Sequence, residues 1–177
     1  MPSEGCIAEL TVYSFRDDGF MDADGRTPSG WPAVLEQLYA YWSSRRRNRP
    51  FPARADIDPI DIPTLLEHLL LVDVLRDPLD FRYRLVGGHI VNHAWRNARG
   101  QTIRELMDQG DSLERVLQQK VMLAGEAVAE SLAPVCLELS YRAAASTGSR
   151  RLQGILLPLG QPTEGVNMLL GGISFLE

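Results

Sequence analysis

Residues 69–88 read LLLVDVLRDPLDFRYRLVGG, and this stretch decides the fold class. Leu69–Arg76 is an apolar run broken by Asp73. Phe81–Val86 alternates, with Phe81, Tyr83 and Leu85 on one face and Arg82 and Arg84 on the other, because strand side chains point to opposite sides in turn. Asp77-Pro78-Leu79-Asp80 between them has turn composition, so the pair predicts a β-hairpin closed off by Gly87-Gly88. With charge on one side and bulk on the other, this hairpin belongs to a sheet that has one face on the core.

Downstream, the period changes from two to that of a helix. Short helices are expected at His89–Arg96 and Thr102–Met107. A longer one is expected over Asp111–Gly125, capped by Asp111 or Ser112 and buried through Leu113, Val116, Leu117, Val121 and Leu123 or Ala124. Alternation then returns. Val135, Leu137, Leu139 and Tyr141 interleave with Cys136, Glu138, Ser140 and Arg142, and two more strands, near Arg151–Leu159 and Val166–Leu176, flank a Gln161–Gly165 turn. Two strands, a helical insert and three strands describe an α+β fold, an antiparallel sheet with helices on one face.

Upstream of the hairpin, Trp31, Leu35, Leu38 and Trp42 recur at helical spacing, which predicts an N-terminal amphipathic helix with Arg45, Arg46, Arg47 and Arg49 at its C-terminal end. Asp58-Pro59 reads as a helix cap followed by proline at the first helical position, and opens a short turn through about His68. Residues 1–28, rich in Gly, Asp, Ser and Pro with one possible strand at Leu10–Phe15, read as a flexible N-terminal extension. The domain proper is expected over 29–177.

The chain has 177 residues, enough for one domain with a real core. Lys+Arg 18 against Asp+Glu 23 gives a net charge of -5, so no global field favours nucleic acid or an anionic membrane. Cys6 and Cys136 form no metal or disulfide motif, and no secretory leader is legible, so a cytoplasmic protein is expected. No nucleotide-binding loop, nucleophile elbow or zinc-protease motif occurs. His89 and His93 stand four apart, the spacing for a shared metal, but no third ligand is evident, so no metal is expected. Asp22-Ala23-Asp24-Gly25 fails as a calcium loop, because the first and twelfth positions of that register fall on Phe20 and Trp31. An Arg54–Asp56 ion pair is the expected brace of its turn, and Cys136 is expected on the polar face of its strand.

Tyr41-Trp42, the segment Pro52-Ala53-Arg54-Ala55-Asp56-Ile57-Asp58-Pro59, the strand Leu69–Val74, the run Phe81-Arg82-Tyr83-Arg84-Leu85-Val86-Gly87 and the pair Arg99-Gly100 together resemble a bacterial family of small, stand-alone PAS-domain proteins. The resemblance covers roughly residues 31–176. It implies a five-stranded antiparallel PAS sheet with a helical insert on one face, and a cytoplasmic sensor or adaptor in signal transduction rather than an enzyme. The chain departs from the family where similar proteins carry Gly-Thr and an aromatic-Gly pair, having Gly87-Gly88 and Ala94-Trp95-Arg96-Asn97 instead. The ligand implied is a small apolar or amphipathic molecule whose identity, like any cofactor, is unknown. Placed by period, its expected contacts are Tyr83, Leu85, Ile90, His93, Trp95, Leu137 and Leu139. The stripe Trp31, Leu35, Leu38 and Trp42 is the expected homodimer or partner-protein surface, against the alternative that it packs within its own chain. Neither nucleic acid nor membrane is an expected partner. Two other readings stand beside this one: a small α+β enzyme pairing His93 with a carboxylate such as Asp108, and a ligand-free protein-interaction module.

Overall fold

The computed structural model describes residues 7–16, 19–28, 30–93, 97–142 and 148–176. In chain order these form β1 (Ile7–Arg16), β2 (Gly19–Met21), α1 (Ala33–Arg46) and three short 3₁₀ turns (Arg54–Asp56, Pro59–Asp61, Pro63–His68). There follow β3 (Leu69–Leu75), β4 (Asp80–Val86), α2 (Gly88–His93), α3 (Ile103–Gln109), α4 (Ser112–Ser131), β5 (Val135–Arg142), β6 (Arg150–Gln161) and β7 (Gly165–Leu176). All seven strands join one antiparallel sheet in the order β2-β1-β5-β6-β7-β3-β4.

The α+β class and the two-strand, helices, three-strand order stand as read, but the sheet has seven strands, not five. The two additional strands come from the segment expected to be a flexible extension. Ile7–Arg16 alternates Ala8, Leu10 and Val12 against Glu9, Thr11 and Tyr13, and pairs with β5 from Ile7 opposite Arg142 to Ser14 opposite Val135. The pairing satisfies an edge that β5 would otherwise expose. At the other side of the sheet, residues 100–102 cover β4: the Gly100 amide donates to the Tyr83 carbonyl and the Tyr83 amide to that of Gln101.

Helix α1 lies on one face of the sheet. Leu35, Leu38 and Trp42 are only 2%, 1% and 2% exposed, and the Trp42 indole N–H donates to the Pro158 carbonyl at 2.9 Å. Gly172 makes the close approach possible, since a Cβ there would stand 2.7 Å from Leu38 Cδ2. Trp31 precedes the helix and meets the Tyr13 ring edge-on at 6.1 Å. The stripe expected as a dimer surface is thus used inside the chain: Leu35, Leu38 and Trp42 have no surface left for a partner. Cys136, opposite Tyr13 and Ile155, lies under the same cover, so it is buried rather than on a wet face, and burial pushes its thiol well above the ordinary range.

The segment after α1 is held by ion pairs. Arg45 reaches Asp61 at 2.6 Å and Arg49 reaches Asp56 at 2.8 Å. Asp56 therefore pairs with Arg49 and not with Arg54, whose guanidinium donates to the Ile57 carbonyl instead. Asp58 caps its turn as expected, accepting from the Ile60 amide, with Pro59 at the first position. Among the acidic residues near the N-terminus, Asp22 accepts from the amides of Asp24 and Arg26, which closes a turn.

Helices α2, α3 and α4 cover the opposite face. Thr102 and Glu105 form a reciprocal cap at the start of α3, and Asp111 caps α4. The buried face of α4 is Leu113, Met122, Ala124, Gly125 and Val128, with Leu117 and Val121 half-buried and Leu123 exposed.

Candidate functional site: a cavity between sheet and insert

The insert does not close onto the sheet everywhere. A cavity of about 350 Å³ remains between the two, walled by Leu70, Tyr83 and Val86 from β3 and β4, by Ile90 and His93 from α2, and by Leu117, Gln118 and Val121 from α4. Leu139, Leu152, Ile173 and Phe175 complete the wall from β5, β6 and β7. The volume lies within the ordinary range for small-molecule sites, and so does a mostly hydrocarbon wall with a few polar groups.

Inside, the Tyr83 hydroxyl donates to Gln118 Oε1 at 2.9 Å. Burial, with a smaller contribution from nearby Glu114, holds the phenol well above its usual range, so it is neutral at any physiological pH. Among the described residues no buried side-chain polar atom lacks a hydrogen-bond partner. The remaining polar wall groups are Glu114, Tyr141, Arg142 and Arg150.

Of the seven residues expected to contact a ligand, the structure places Tyr83, Ile90, His93 and Leu139 on the wall. Trp95 lies outside the described residues. Leu85 is a correction: it is 40% exposed and turned away. Leu71 stands opposite Leu85 but Val72 stands opposite Tyr83, so Arg84 is an extra residue, a β-bulge that shifts the alternation by one. Val86 takes the inward position that strict alternation assigns to Leu85. Leu137 is a second correction, since it is buried in the core against Gly154 and is not part of the wall. Sequence reading missed the α4 residues Leu117, Gln118 and Val121 and the β7 residues Ile173 and Phe175 as wall. The helical period of α4 offered a signal, because it had already grouped Leu117 and Val121 on a buried face.

The fold also gathers all 3 histidines of the chain beside this cavity. His68, at the end of a 3₁₀ turn, has its ring centroid 4.2 Å from that of His89, which is 4.4 Å from that of His93. His93 in turn stacks on Phe175 at 4.5 Å, with the rings tilted by only 11°. His68 Nδ1 lies 3.0 Å from the Ile173 carbonyl and His93 Nδ1 2.7 Å from that of His89. A carbonyl only accepts, so both of these nitrogens carry the proton. The Phe175 amide donates to His89 Nε2 at 3.4 Å. Burial lowers the His89 pKa, the like charges that His68 and His93 can carry lower it further, and Glu67 opposes them. The imidazoles are tilted to one another by 42° and 48°, and among the described residues no group of three His, Cys, Asp or Glu is arranged to hold a metal ion. Asp108, weighed as a catalytic partner for His93, is exposed on α3 and is not part of the wall.

Among the described residues no helix is long and apolar enough to cross a membrane. In comparison with known proteins, a family model described as the PAS domain matches residues 32–174, which spans α1, the helical insert and the strands β3 to β7 but neither β1 nor β2. No curated protein matches the chain.

Proposed function

The chain belongs to the PAS-domain family, and from that premise we propose that it is a cytoplasmic, non-enzymatic sensor module that binds a small molecule between its sheet and its helical insert. The observation that carries the reading is the cavity of about 350 Å³, apolar on most of its wall and placed where two packed layers would otherwise meet. Closing such a space with side chains stabilises a fold, since an unfilled apolar cavity costs about 24 cal/mol per Å³ in large-to-small core substitutions. An occupant recovers part of that loss.

Binding signals only if the occupant prefers one conformation of the protein. In this reading the responsive wall is α2, six residues that meet β7 and the last 3₁₀ turn through the cluster of His68, His89, His93 and Phe175. The receiver is α1 across the sheet. On β7, Ile173 faces the cavity while its neighbour Gly172 faces Leu35 and Leu38 of α1, so a displacement of this strand is felt on both sides.

Native mass spectrometry of freshly purified protein, compared with its denatured mass and joined to an absorbance spectrum, tests the reading. A stoichiometric extra mass released on denaturation is the expected result, and its value and spectrum identify the class of occupant. A protein that leaves purification empty, and whose mass no metabolite extract shifts, is instead an interaction module.

A further inference from the structure

The polar groups of the cavity are unevenly distributed. Its interior is mostly hydrocarbon: the polar side chains there are Tyr83 and Gln118, and the Tyr83 hydroxyl is already donated to Gln118 Oε1. An occupant with a polar group in the middle would give up hydrogen bonds to water that this wall replaces poorly. The interior therefore selects hydrocarbon.

The mouth differs. The exposed members of the wall are His93, Gly148 and Arg150, so among the described residues the wall reaches solvent at the end of α2 and the start of β6. Arg142 closes β5 at this point and is half-buried. Arg150 opens β6 directly opposite Tyr141, near enough for its charge to act on that hydroxyl. The ion pairs among the described residues involve Arg45, Arg49 and Arg84, so neither of these two arginines is matched with a carboxylate there. Glu114 is the one carboxylate among the described wall residues, and its Oε2 turns to the corner between α3 and α4, 2.6 Å from where a Cβ on Gly110 would stand. With two cations and one anion, the charged wall is net positive in a chain whose net charge is -5.

Building on the reading of this cavity as a ligand site, we infer that its occupant is an amphipathic monoanion of the medium-chain carboxylate class. The tail lies along Val121, Leu139, Leu152 and Ile173, and the carboxylate sits at the mouth with Arg142 and Arg150. Guanidinium groups suit this role because their fixed fork of donors matches the two oxygens of a carboxylate.

Three probes of equal chain length separate the possibilities in isothermal titration calorimetry on the full chain: octanoate, 1-octanol and octylammonium. The inference expects octanoate to bind one per chain, at least tenfold more tightly than either of the others. It also expects the double variant Arg142→Gln, Arg150→Gln, folded by circular dichroism, to lose at least tenfold for octanoate and little for octanol. Octanol or octylammonium binding as tightly as octanoate overturns the anionic class while leaving the cavity reading intact. The anionic class also falls, and the cavity reading survives, if no probe binds but native mass spectrometry finds a retained molecule of another kind. If no probe binds and the purified protein carries nothing, both fall.

Discussion

Gly125 and Gly172 stand where helices come nearest to the two faces of the sheet, and each shows how little room the packing leaves. A Cβ on Gly125 of α4 would lie 2.6 Å from Cζ of Phe81, a ring that is 1% exposed and has nowhere to turn. Alanine would add about 1 kcal/mol of helix propensity, but overpacking a well-filled core costs about 1–3 kcal/mol, and a rigid buried ring is at the expensive end. Gly125→Ala should therefore destabilise the protein despite the better helix former, seen as a lower denaturant midpoint at unchanged slope. At His89 the sign follows from protonation. Its pKa is lowered in the fold, so near and below the unfolded value of about 6.5 the unfolded chain binds more protons. The stabilisation is complete above that value and is lost as pH falls through it toward the folded value. The wild type should lose stability as pH falls through the unfolded value of about 6.5, and His89→Gln should flatten that slope in denaturation curves taken on both sides of it. An unchanged slope would remove the histidine cluster from the pH response.

At the scale of elements, the hairpin of β3 and β4 carries the clearest lesson. Its composition predicts two strands and a turn, and both form, yet the single extra residue at Arg84 reverses which of Leu85 and Val86 looks inward. Nothing local marks the bulge, because Arg84 suits the exposed side in either register and finds its partner, Asp73, only across the hairpin at 2.6 Å. Strand β1 is the complementary case. Its alternation was visible, but a lone strand has no stability of its own, and it is pairing with β5 along Ile7–Ser14 that ties it into the sheet. The family match begins at residue 32, after β1 and β2, so these strands are an addition outside the matched region. Removing residues 1–21 bares the outer edge of β5 from Val135 to Arg142. The truncated chain should self-associate in size-exclusion chromatography at concentrations where the full chain does not. A truncated protein that elutes like the full chain would show that the edge of β5 tolerates exposure.

For the molecule as a whole, the cavity makes a prediction that no single contact makes. A ligand that binds only the folded state adds RT ln(1 + [L]/Kd) to stability, about 2.7 kcal/mol at a hundredfold excess over Kd. Octanoate should therefore raise the Tm of the wild type in a dose-dependent way. Val121→Phe, which puts a ring into the cavity from α4, should fold and show no such rise. A rise of equal size in the variant would place the binding elsewhere. Much of this architecture is legible in the residues. The helix stripe of α1, the alternation of β3 to β7, the caps at Asp58 and Asp111 and the charge balance follow from periodicities and local hydrogen bonding, which act over a few neighbours and so are written in the order of the residues. The tertiary structure alone decided what that stripe meets, which of Leu85 and Val86 faces the cavity, that His68 joins two histidines more than twenty positions away, and that two arginines on different strands share one mouth. Each of these depends on strand pairing and on the packing of layers distant in the chain. A sequence read by its periods assigns a residue to a face, but what lies opposite that face is settled only when the other elements arrive.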